Sequence, residues 1–214
     1  MKLTALIISI LPFTVTLFTS NAKAEDWPQW RGSNRDGISK ENNLLKEWPK
    51  AGPPLTWKVK GLGIGFSSLA VLKGKLYTLG DLKDGSYTIA LDEKNGDILW
   101  KTRIGDSGGH RGYPGTRSTP TVDNEHVFAL NQHSDLVCLD SKTGKLIWQK
   151  NLVDDFGGKM MSGWKYSESP LVDKDQVICT PGGKNGTLLA LNRSTGEKIW
   201  QTKEWTDSAA YSSI

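Results

Sequence analysis

Cysteine and histidine are scarce in this sequence, which has two cysteines and three histidines among 214 residues. No two cysteines are adjacent, and His110, His126 and His133 show no metal-ligand spacing such as His-x-x-x-His. Solvated histidines explain this distribution better than a metal site does. We therefore assign no metal ligand and no catalytic residue from the sequence.

Clusters of basic residues are missing as well, and no stretch interleaves basic with aromatic residues as a nucleic-acid groove does. The formal charge is +4, and it falls to +2 when residues 1–24, with Lys2 and Lys23, are removed. A net charge this small argues neither for nor against an acidic partner. We predict that the protein binds neither DNA nor RNA.

A long membrane-spanning run is lacking too, because the apolar stretch from Ala5 to Phe18 is shorter than the roughly 20 residues that a spanning helix needs. Lys2 precedes this stretch, and the small-residue site Ala22-Lys23-Ala24 follows it, as in a secretory signal peptide. We predict cleavage after Ala24 and a periplasmic or secreted protein. Retention of the segment as an anchor is the alternative.

Cys138 and Cys179 would then reach an oxidising compartment, where a disulfide is conceivable. The internal alignment below places them on different strands, at positions where the other copies carry Ala or Thr. We interpret them as two small buried thiols, and their oxidation state stays open.

Glycine and tryptophan are frequent in this sequence, with 23 and nine residues, and the sequence contains an internal repeat. Three segments align without gaps: residues 90–100 (ALDEKNGDILW), 138–148 (CLDSKTGKLIW) and 190–200 (ALNRSTGEKIW). Their final tryptophans lie 48 and 52 residues apart, which is the period of a propeller blade. The positions that recur in every copy are Asp92, Gly96, Trp100, Asp140, Gly144, Trp148, Asn192, Gly196 and Trp200.

Each copy predicts four short strands separated by turn residues, for example over 118–122, 127–130, 136–139 and 146–149 in the second copy. One copy is too small to form a core, so copies must stack face to face. The recurrent tryptophan then fills the seam between copies, with a ligand-stacking platform as the alternative. We predict an all-β fold, a β-propeller of four-stranded antiparallel blades.

The repeat resembles that of pyrroloquinoline-quinone-like (PQQ-like) propellers, whose signature is Ala-x-Asp-x-x-Thr-Gly-x-x-x-Trp. Residues 138–148 depart from it at the first position only, whereas Asn95 replaces Thr and Asn192 replaces Asp in the other copies. Such proteins are commonly described as similar to the propeller subunit of the outer-membrane β-barrel assembly machinery. The resemblance implies blades over about 66–101, 117–150 and 167–202, of seven or eight in a complete propeller.

Residues 25–65 resemble the leader that precedes such propellers, and an outer strand is expected near 54–59 because Trp57 lies 43 residues before Trp100. Residues 211–214 (YSSI) repeat residues 66–69 (FSSL), so a fourth blade is expected to begin at 211. Three complete blades fall short of the four to eight that close a ring. We therefore expect the chain to be an N-terminal fragment whose remaining blades are encoded beyond it.

The loops before the inner strands are the expected ligand-binding region, because these loops cluster at the channel mouth in such folds. Eight residues of these loops are candidates: His110, Arg111, Tyr113, Arg117, Trp164, Lys165, Tyr166 and Glu168. Arg117 and Glu168 occupy nearly equivalent positions and are expected to face each other. Either a structural ion pair or a binding site would explain them.

A non-catalytic, exported scaffold for protein–protein interaction in the bacterial envelope is the function we expect. A quinone-dependent alcohol dehydrogenase-like domain is the first alternative, and only then are PQQ and calcium expected as cofactors. The resemblance implies adjacent cysteines near that quinone, which this chain lacks. A polysaccharide or small-ligand binding module is the second alternative. Residues 105–109 (GDSGG) resemble a serine-protease nucleophile segment, but they join two blades.

Overall fold

The computed structural model describes residues 24–214, which form three four-stranded antiparallel sheets and one short hairpin. The predicted signal peptide, apart from Ala24, lies outside the described residues. Across residues 24–214 there is no helix long and apolar enough to cross a membrane. The all-β prediction is confirmed.

Each sheet is one blade, and its strands follow chain order from one edge to the other. Blade 1 contains β1 (Ala70–Leu72), β2 (Lys75–Leu82), β3 (Gly85–Asp92) and β4 (Ile98–Gly105). A hairpin follows, made of β5 (Gly109–His110) and β6 (Tyr113–Pro114). Blade 2 contains β7 (Thr121–Val122), β8 (His126–Leu130), β9 (Asp135–Asp140) and β10 (Leu146–Asn151). Blade 3 contains β11 (Leu171–Asp173), β12 (Gln176–Cys179), β13 (Leu189–Asn192) and β14 (Lys198–Gln201).

The turn before each outer strand explains the aspartate and glycine of the repeat. In blade 2, Asp140 Oδ1 accepts hydrogen bonds from the Thr143 amide at 2.7 Å, the Thr143 hydroxyl at 2.7 Å and the Lys142 amide at 3.1 Å. These bonds lower the pKa of Asp140. Gly144 then adopts a φ of 71°, which favours glycine. Asn192 accepts equivalent bonds in blade 3, so its amide replaces the carboxylate.

The hydrophobic cores lie in the seams between blades. One core joins blades 1 and 2 and is flanked by Trp100, and a second joins blades 2 and 3 and includes Trp148. Trp148 is only 8% exposed, whereas Trp200, on the last described blade, is 37% exposed. The seam-filling role predicted for the tryptophans is therefore met by Trp100 and Trp148, while the Trp200 indole donates to Gln176 of its own blade.

Every outer strand also has an irregular register at the tryptophan. In blade 1, Ala90 pairs with Trp100 and Leu91 pairs with Ile98, so that one residue of β4 is left without an opposite partner. The same shift occurs in blades 2 and 3. The extra residues are Leu99, Ile147 and Ile199, and all three are exposed. This β-bulge allows the tryptophan to face the neighbouring blade.

The segment before blade 1 runs along the innermost strands of all three blades. Trp27 exchanges backbone hydrogen bonds of 2.8 Å with Val71 of β1, and the Pro28 carbonyl accepts from the Val122 amide of β7 at 2.8 Å. Arg35 donates to two carbonyls just before β11, at 3.2 and 3.4 Å. The sequence indicated a leader here, but its path across the blades was not predicted.

The outer strand expected near 54–59 is absent from the described strands, since no described segment pairs with these residues. Trp57 nevertheless contacts blade 1 as the blade tryptophans contact their neighbours. Its indole donates to the Glu93 carbonyl at 2.9 Å, and its ring lies against Gly96. The side chain is thus placed by its contact with the next turn and not by strand pairing.

Candidate functional site

Three aromatic rings stack at one end of the described blades. His110 and Tyr113 pair across the β5–β6 hairpin, and their ring centroids are 6.1 Å apart. Trp164, in the loop between β10 and β11, stacks on both. Its centroid lies 4.4 Å from His110, with an interplanar angle of 5°, and 5.1 Å from Tyr113, with an angle of 23°. Tyr113 and Trp164 remain 49% and 44% exposed.

Arg117 connects the two loops that carry these rings. Its guanidinium donates hydrogen bonds to the backbone carbonyls of Trp164 and Tyr113. Partial burial lowers the pKa of Arg117 from its ordinary value, and nearby Tyr211 raises it. Because an arginine stays charged in proteins, the loops are held around a fixed positive charge.

An apolar cavity of about 250 Å³ lies beside the stacked rings. Four of its lining residues occupy the same position in successive copies of the repeat, and two come from the stack. The first group is Phe66, Arg117, Ser167 and Tyr211, and the second is Tyr113 and Trp164. Phe66 meets Tyr113 edge to face, with centroids 5.9 Å apart. The cavity is therefore where the starts of four successive repeats converge.

A second, larger groove of about 540 Å³ adjoins the first at Arg117, Ser167 and Tyr211. The remaining residues that line it are Trp30, Arg31, Ser169, Ser212 and Ser213. It therefore has two guanidinium groups and several hydroxyls, in contrast to the aromatic walls of the smaller cavity. We call the apolar cavity and this polar groove together the mouth groove.

The serines of these positions also link one repeat to the next. The Ser169 hydroxyl accepts a hydrogen bond from the Thr119 amide at 2.9 Å, and the Ser213 hydroxyl accepts one from the Ser169 amide at 2.9 Å. The start of each inner strand is thus fixed against the following repeat. This contact places Tyr211 beside Ser167 in the mouth groove.

Of the eight candidates chosen from the sequence, Tyr113, Arg117 and Trp164 line the mouth groove, whereas Tyr166 and Glu168 are buried away from it. Tyr166 is buried in the core of blades 2 and 3, where its hydroxyl donates to the Pro181 carbonyl at 2.8 Å. Burial raises the pKa of Tyr166 above its ordinary range. Alternation along an extended segment explains the difference, because successive side chains point to opposite faces.

Glu168 is 2% exposed and accepts two hydrogen bonds from Thr180, from its amide at 2.7 Å and from its hydroxyl at 3.0 Å. Burial raises the pKa of Glu168 to about 7, against the lowering effects of these bonds and of the Arg35 charge. The expectation that Glu168 faces Arg117 was wrong, because Arg117 bonds to loop carbonyls and Glu168 to its own blade. Arg35 of the leader is the cation near Glu168.

Arg111 and Lys165 are exposed, but neither is among the residues that line the mouth groove. Arg111 lies at the tip of the β5–β6 hairpin, and Lys165 directly follows Trp164 with a positive φ of 70°. Neither makes a side-chain hydrogen bond or ion pair with any described residue.

Asp81 supports the site from below and was not predicted. Its carboxylate accepts hydrogen bonds from the Ser86 hydroxyl at 2.5 Å, the Gly108 amide at 2.6 Å and the Gln132 side chain at 3.0 Å. It thereby fixes the loop that leads into the β5–β6 hairpin. The signal in the sequence was the aspartate itself, since Asp81 is the only charged residue between Leu76 and Leu82 of β2. The GDSGG run is thus held as a structural connector.

The described residues include no pair of adjacent cysteines of the kind that the resemblance implies beside a quinone. Within residues 24–214 no group of three or more His, Cys, Asp or Glu side chains could hold a metal ion. Cys138 and Cys179 are separate free thiols in the core of blades 2 and 3. Burial raises the pKa of Cys138 to about 12, and the pKa of Cys179 well above its ordinary value. Neither thiol lies near the mouth groove's aromatic walls, where a planar cofactor would stack.

Sheets of four antiparallel strands, joined by a turn with a tryptophan that docks on the next blade, define a β-propeller of PQQ-like repeats. Residues 83–213 match the family model described as outer membrane protein assembly factor BamB. The match covers more than half of the chain, and the protein belongs to this family. No curated protein matches the chain.

Solved structures with the same fold include two enzymes. A quinohemoprotein alcohol dehydrogenase from Comamonas testosteroni has 19% identity and a TM-score of 0.60 over 86% of this chain and 28% of its own. A second, from Pseudomonas putida HK5, has 21% identity and a TM-score of 0.51 over 69% of this chain and 22% of its own. BamB from Moraxella catarrhalis aligns with 19% identity and a TM-score of 0.49, over 69% and 39% of the two chains. The chain thus spans less than half the length of these structures.

Proposed function

We propose that the protein is exported and acts as a non-catalytic scaffold that binds another protein in the bacterial envelope. Membership of the family described as outer membrane protein assembly factor BamB supports this proposal. The mouth groove is the surface that we assign to the partner. A protein of this fold can host many activities, so the site and not the fold has to carry the argument.

The observation that carries the proposal is the exposed, rigidly held aromatic surface around Trp164. Tyr113 and Trp164 are almost half exposed, yet stacking with His110 and the hydrogen bonds of Arg117 fix their positions. Tryptophan, tyrosine and arginine are the residues that dominate the energetics of protein interfaces. A surface ordered before binding also loses less conformational entropy when the partner docks.

Site-specific photocrosslinking in the bacterium of origin tests this proposal. A photoreactive amino acid at Tyr113 should give one discrete adduct in the envelope fraction, and the Trp164→Ala variant should abolish it. The same amino acid at Lys145, which is exposed in the turn before β10, serves as the control and should give none. The absence of an adduct at Tyr113, or equal adducts at both positions, would contradict the proposal.

Export is tested separately. The protein purified from an envelope fraction should begin at Glu25, because the Ala22-Lys23-Ala24 site precedes it. Intact-mass measurement identifies the first residue. Retention of residues 1–24 would indicate a membrane anchor instead.

A quinone-dependent dehydrogenase is the second candidate, since the fold extends over 86% of this chain in one such enzyme. We propose that this chain binds no quinone, because the described residues offer neither adjacent cysteines nor a cluster of metal ligands. Purified protein mixed with calcium and pyrroloquinoline quinone should elute from gel filtration without quinone absorbance. Retention of one quinone per protein would overturn this proposal and favour the enzyme.

A further inference from the structure

We propose that the mouth groove binds an extended, acidic peptide segment of the partner, with one aromatic side chain of that segment in the apolar cavity. The inference rests on the proposed function, because it names the chemistry of the protein that would be bound. It follows from the division of the groove into an aromatic part and a basic part.

The apolar cavity is suited to a single ring. Phe66, Tyr113, Trp164 and Tyr211 surround a volume of about 250 Å³, and the mutual orientation of three of these rings is fixed by stacking or edge contacts. Aromatic rings attract one another in tilted and offset arrangements, which adds to the gain from burying apolar surface. An aromatic side chain would therefore occupy this space better than a small polar one.

The charge of the groove determines what flanks that ring. Arg31 and Arg117 line the polar part. No acidic or amide side chain is among the described residues that line either part. Two positive charges without a lining carboxylate repel a cationic ligand, although four aromatic walls would otherwise suit a cation.

Hydrogen-bonding capacity leads to the same conclusion. Arg31 donates one hydrogen bond to the Asp36 carbonyl, and Arg117 donates to the Trp164 and Tyr113 carbonyls. Since a guanidinium carries five N–H donors, both side chains keep donors for a ligand. The complement of such a surface is a ligand rich in acceptors, and carboxylates form the strongest bonds with arginine. The two guanidinium groups of the groove match more than one carboxylate, so we assign an acidic segment and not a single chain-terminal carboxylate.

The arrangement also favours a peptide over a compact small molecule. The polar part, at about 540 Å³, is twice the volume of the apolar part and continues from it past Arg117 and Ser167. A ligand that fills both must be elongated, with a ring at one place and charges along its length. An extended polypeptide has this shape.

Calorimetric titration of the purified protein with a designed peptide is the test. The probe is acetyl-Gly-Glu-Asp-Gly-Phe-Gly-Asp-Glu-Gly-amide, whose blocked ends leave only side-chain carboxylates. We expect micromolar binding that weakens at least tenfold when Phe is replaced by Ala. A similar loss of affinity is expected when Glu and Asp of the peptide are replaced by Gln and Asn. Raising the salt concentration from 0.05 to 0.5 M should also weaken binding, because salt screens exposed charges.

Variants locate the peptide. Arg31→Gln removes a charge of the groove without disturbing the Arg117 bonds that fix the loops, and it should weaken the acidic peptide at least threefold. Lys145→Gln removes one charge outside the groove and should leave the affinity unchanged. Because Arg117→Gln could also loosen the loops, we rely on Arg31 for the charge test.

Three results would overturn the inference: no binding at millimolar peptide, equal affinity for the acidic and amide peptides, or tighter binding of cellotetraose than of the acidic peptide. The crosslinking experiment at Tyr113 shows whether such a result refutes only the acidic-peptide inference or also the proposed scaffold function. An adduct at Tyr113 with no peptide binding would refute the acidic-peptide inference and leave the scaffold. Peptide binding without an adduct would refute the scaffold.

Discussion

Trp148 of blade 2 lies flat against Gly196 of blade 3. A Cβ atom at Gly196 would lie 2.8 Å from the indole, and the Trp148 Nε1 donates to the Arg193 carbonyl of the same turn at 2.8 Å. Trp100 contacts Gly144 in the same way. The glycine of the repeat is thus needed twice, for its positive φ of 71° and for the ring of the preceding blade.

We predict that Gly196→Ala destabilises the protein because its methyl group would push Trp148 out of the seam. Gly61→Ala is the matched control, since Gly61 has a φ of 80° with nothing within 4 Å of its Cβ position. Both variants place an alanine at a positive φ, so their backbone strain is similar. Only Gly196→Ala also crowds a neighbouring side chain, that of Trp148. The free energy of unfolding should fall by about 2 kcal/mol more in Gly196→Ala than in Gly61→Ala, as measured by urea denaturation.

We predict that Asp81 is essential for the conformation of the loop that leads into the β5–β6 hairpin. In Asp81→Ala the Gly108 amide and the Gln132 side chain lose a buried acceptor, and unsatisfied buried donors cost about 1–3 kcal/mol each. We expect a large loss of unfolding free energy together with weaker near-ultraviolet dichroism from the Trp164 stack. Asp84→Asn, at an exposed residue of the β2–β3 turn, should change neither, because the amide oxygen can still accept from the Tyr87 hydroxyl.

The seam between blades 2 and 3 also contains an ion pair. Arg193 lies 3.2 Å from Asp123 and 3.8 Å from Glu125, and the Arg193 and Asp123 side chains are about three-quarters buried. Arg193→Met should lower the free energy of unfolding by about 0.5–1 kcal/mol, and 1 M salt should reduce this difference. Arg103→Met is the control, because the Arg103–Asp106 pair is more exposed and lies on one blade. An equal loss in both variants would show that the seam pair has no special role.

The sequence predicted the blades well because their determinants are local. The aspartate and glycine of each turn act within a few residues, and the tryptophan recurs at a fixed place. Strand alternation and turn chemistry therefore indicated all four strands of blade 2 to within about three residues. The β-bulge at each tryptophan was missed, because register depends on the neighbouring strand.

The mouth groove was predicted only in part, because its residues come from distant segments. His110, Tyr113, Arg117 and Trp164 were found from their position before inner strands. Trp30 and Arg31 reach the groove only because the leader crosses three blades, and no local pattern encodes that path. Glu168 was misplaced because its position before an inner strand, nearly equivalent to that of Arg117, was taken to bring the two side chains together.

The buried carboxylate of Glu168 lies where several titratable and charged groups meet. Arg35 approaches from the leader, while Tyr166 and Cys179 lie nearby in blade 3 and its preceding loop. Burial has the largest effect and raises the pKa of Glu168 from 4.5 to about 7. The folded protein therefore binds this proton more tightly than the unfolded chain does.

We predict from this raised pKa that the protein loses stability as the pH rises from about 4.5 to about 7. Below about pH 4.5 the Glu168 carboxyl is protonated in both the folded protein and the unfolded chain, and above about pH 7 it is ionised in both. Glu168 therefore adds no pH dependence outside this window. Within the window the loss approaches about 1.4 kcal/mol per pH unit. Glu168→Gln keeps the shape but cannot ionise; its amide oxygen can accept from the Thr180 amide, and its NH2 group can donate to the Thr180 hydroxyl. Urea denaturation across this range should therefore show a flatter dependence than in the wild-type protein. Glu197→Gln, at an exposed turn residue, should leave the dependence unchanged. If the two variants had the same pH profile, Glu168 would not be the group that titrates.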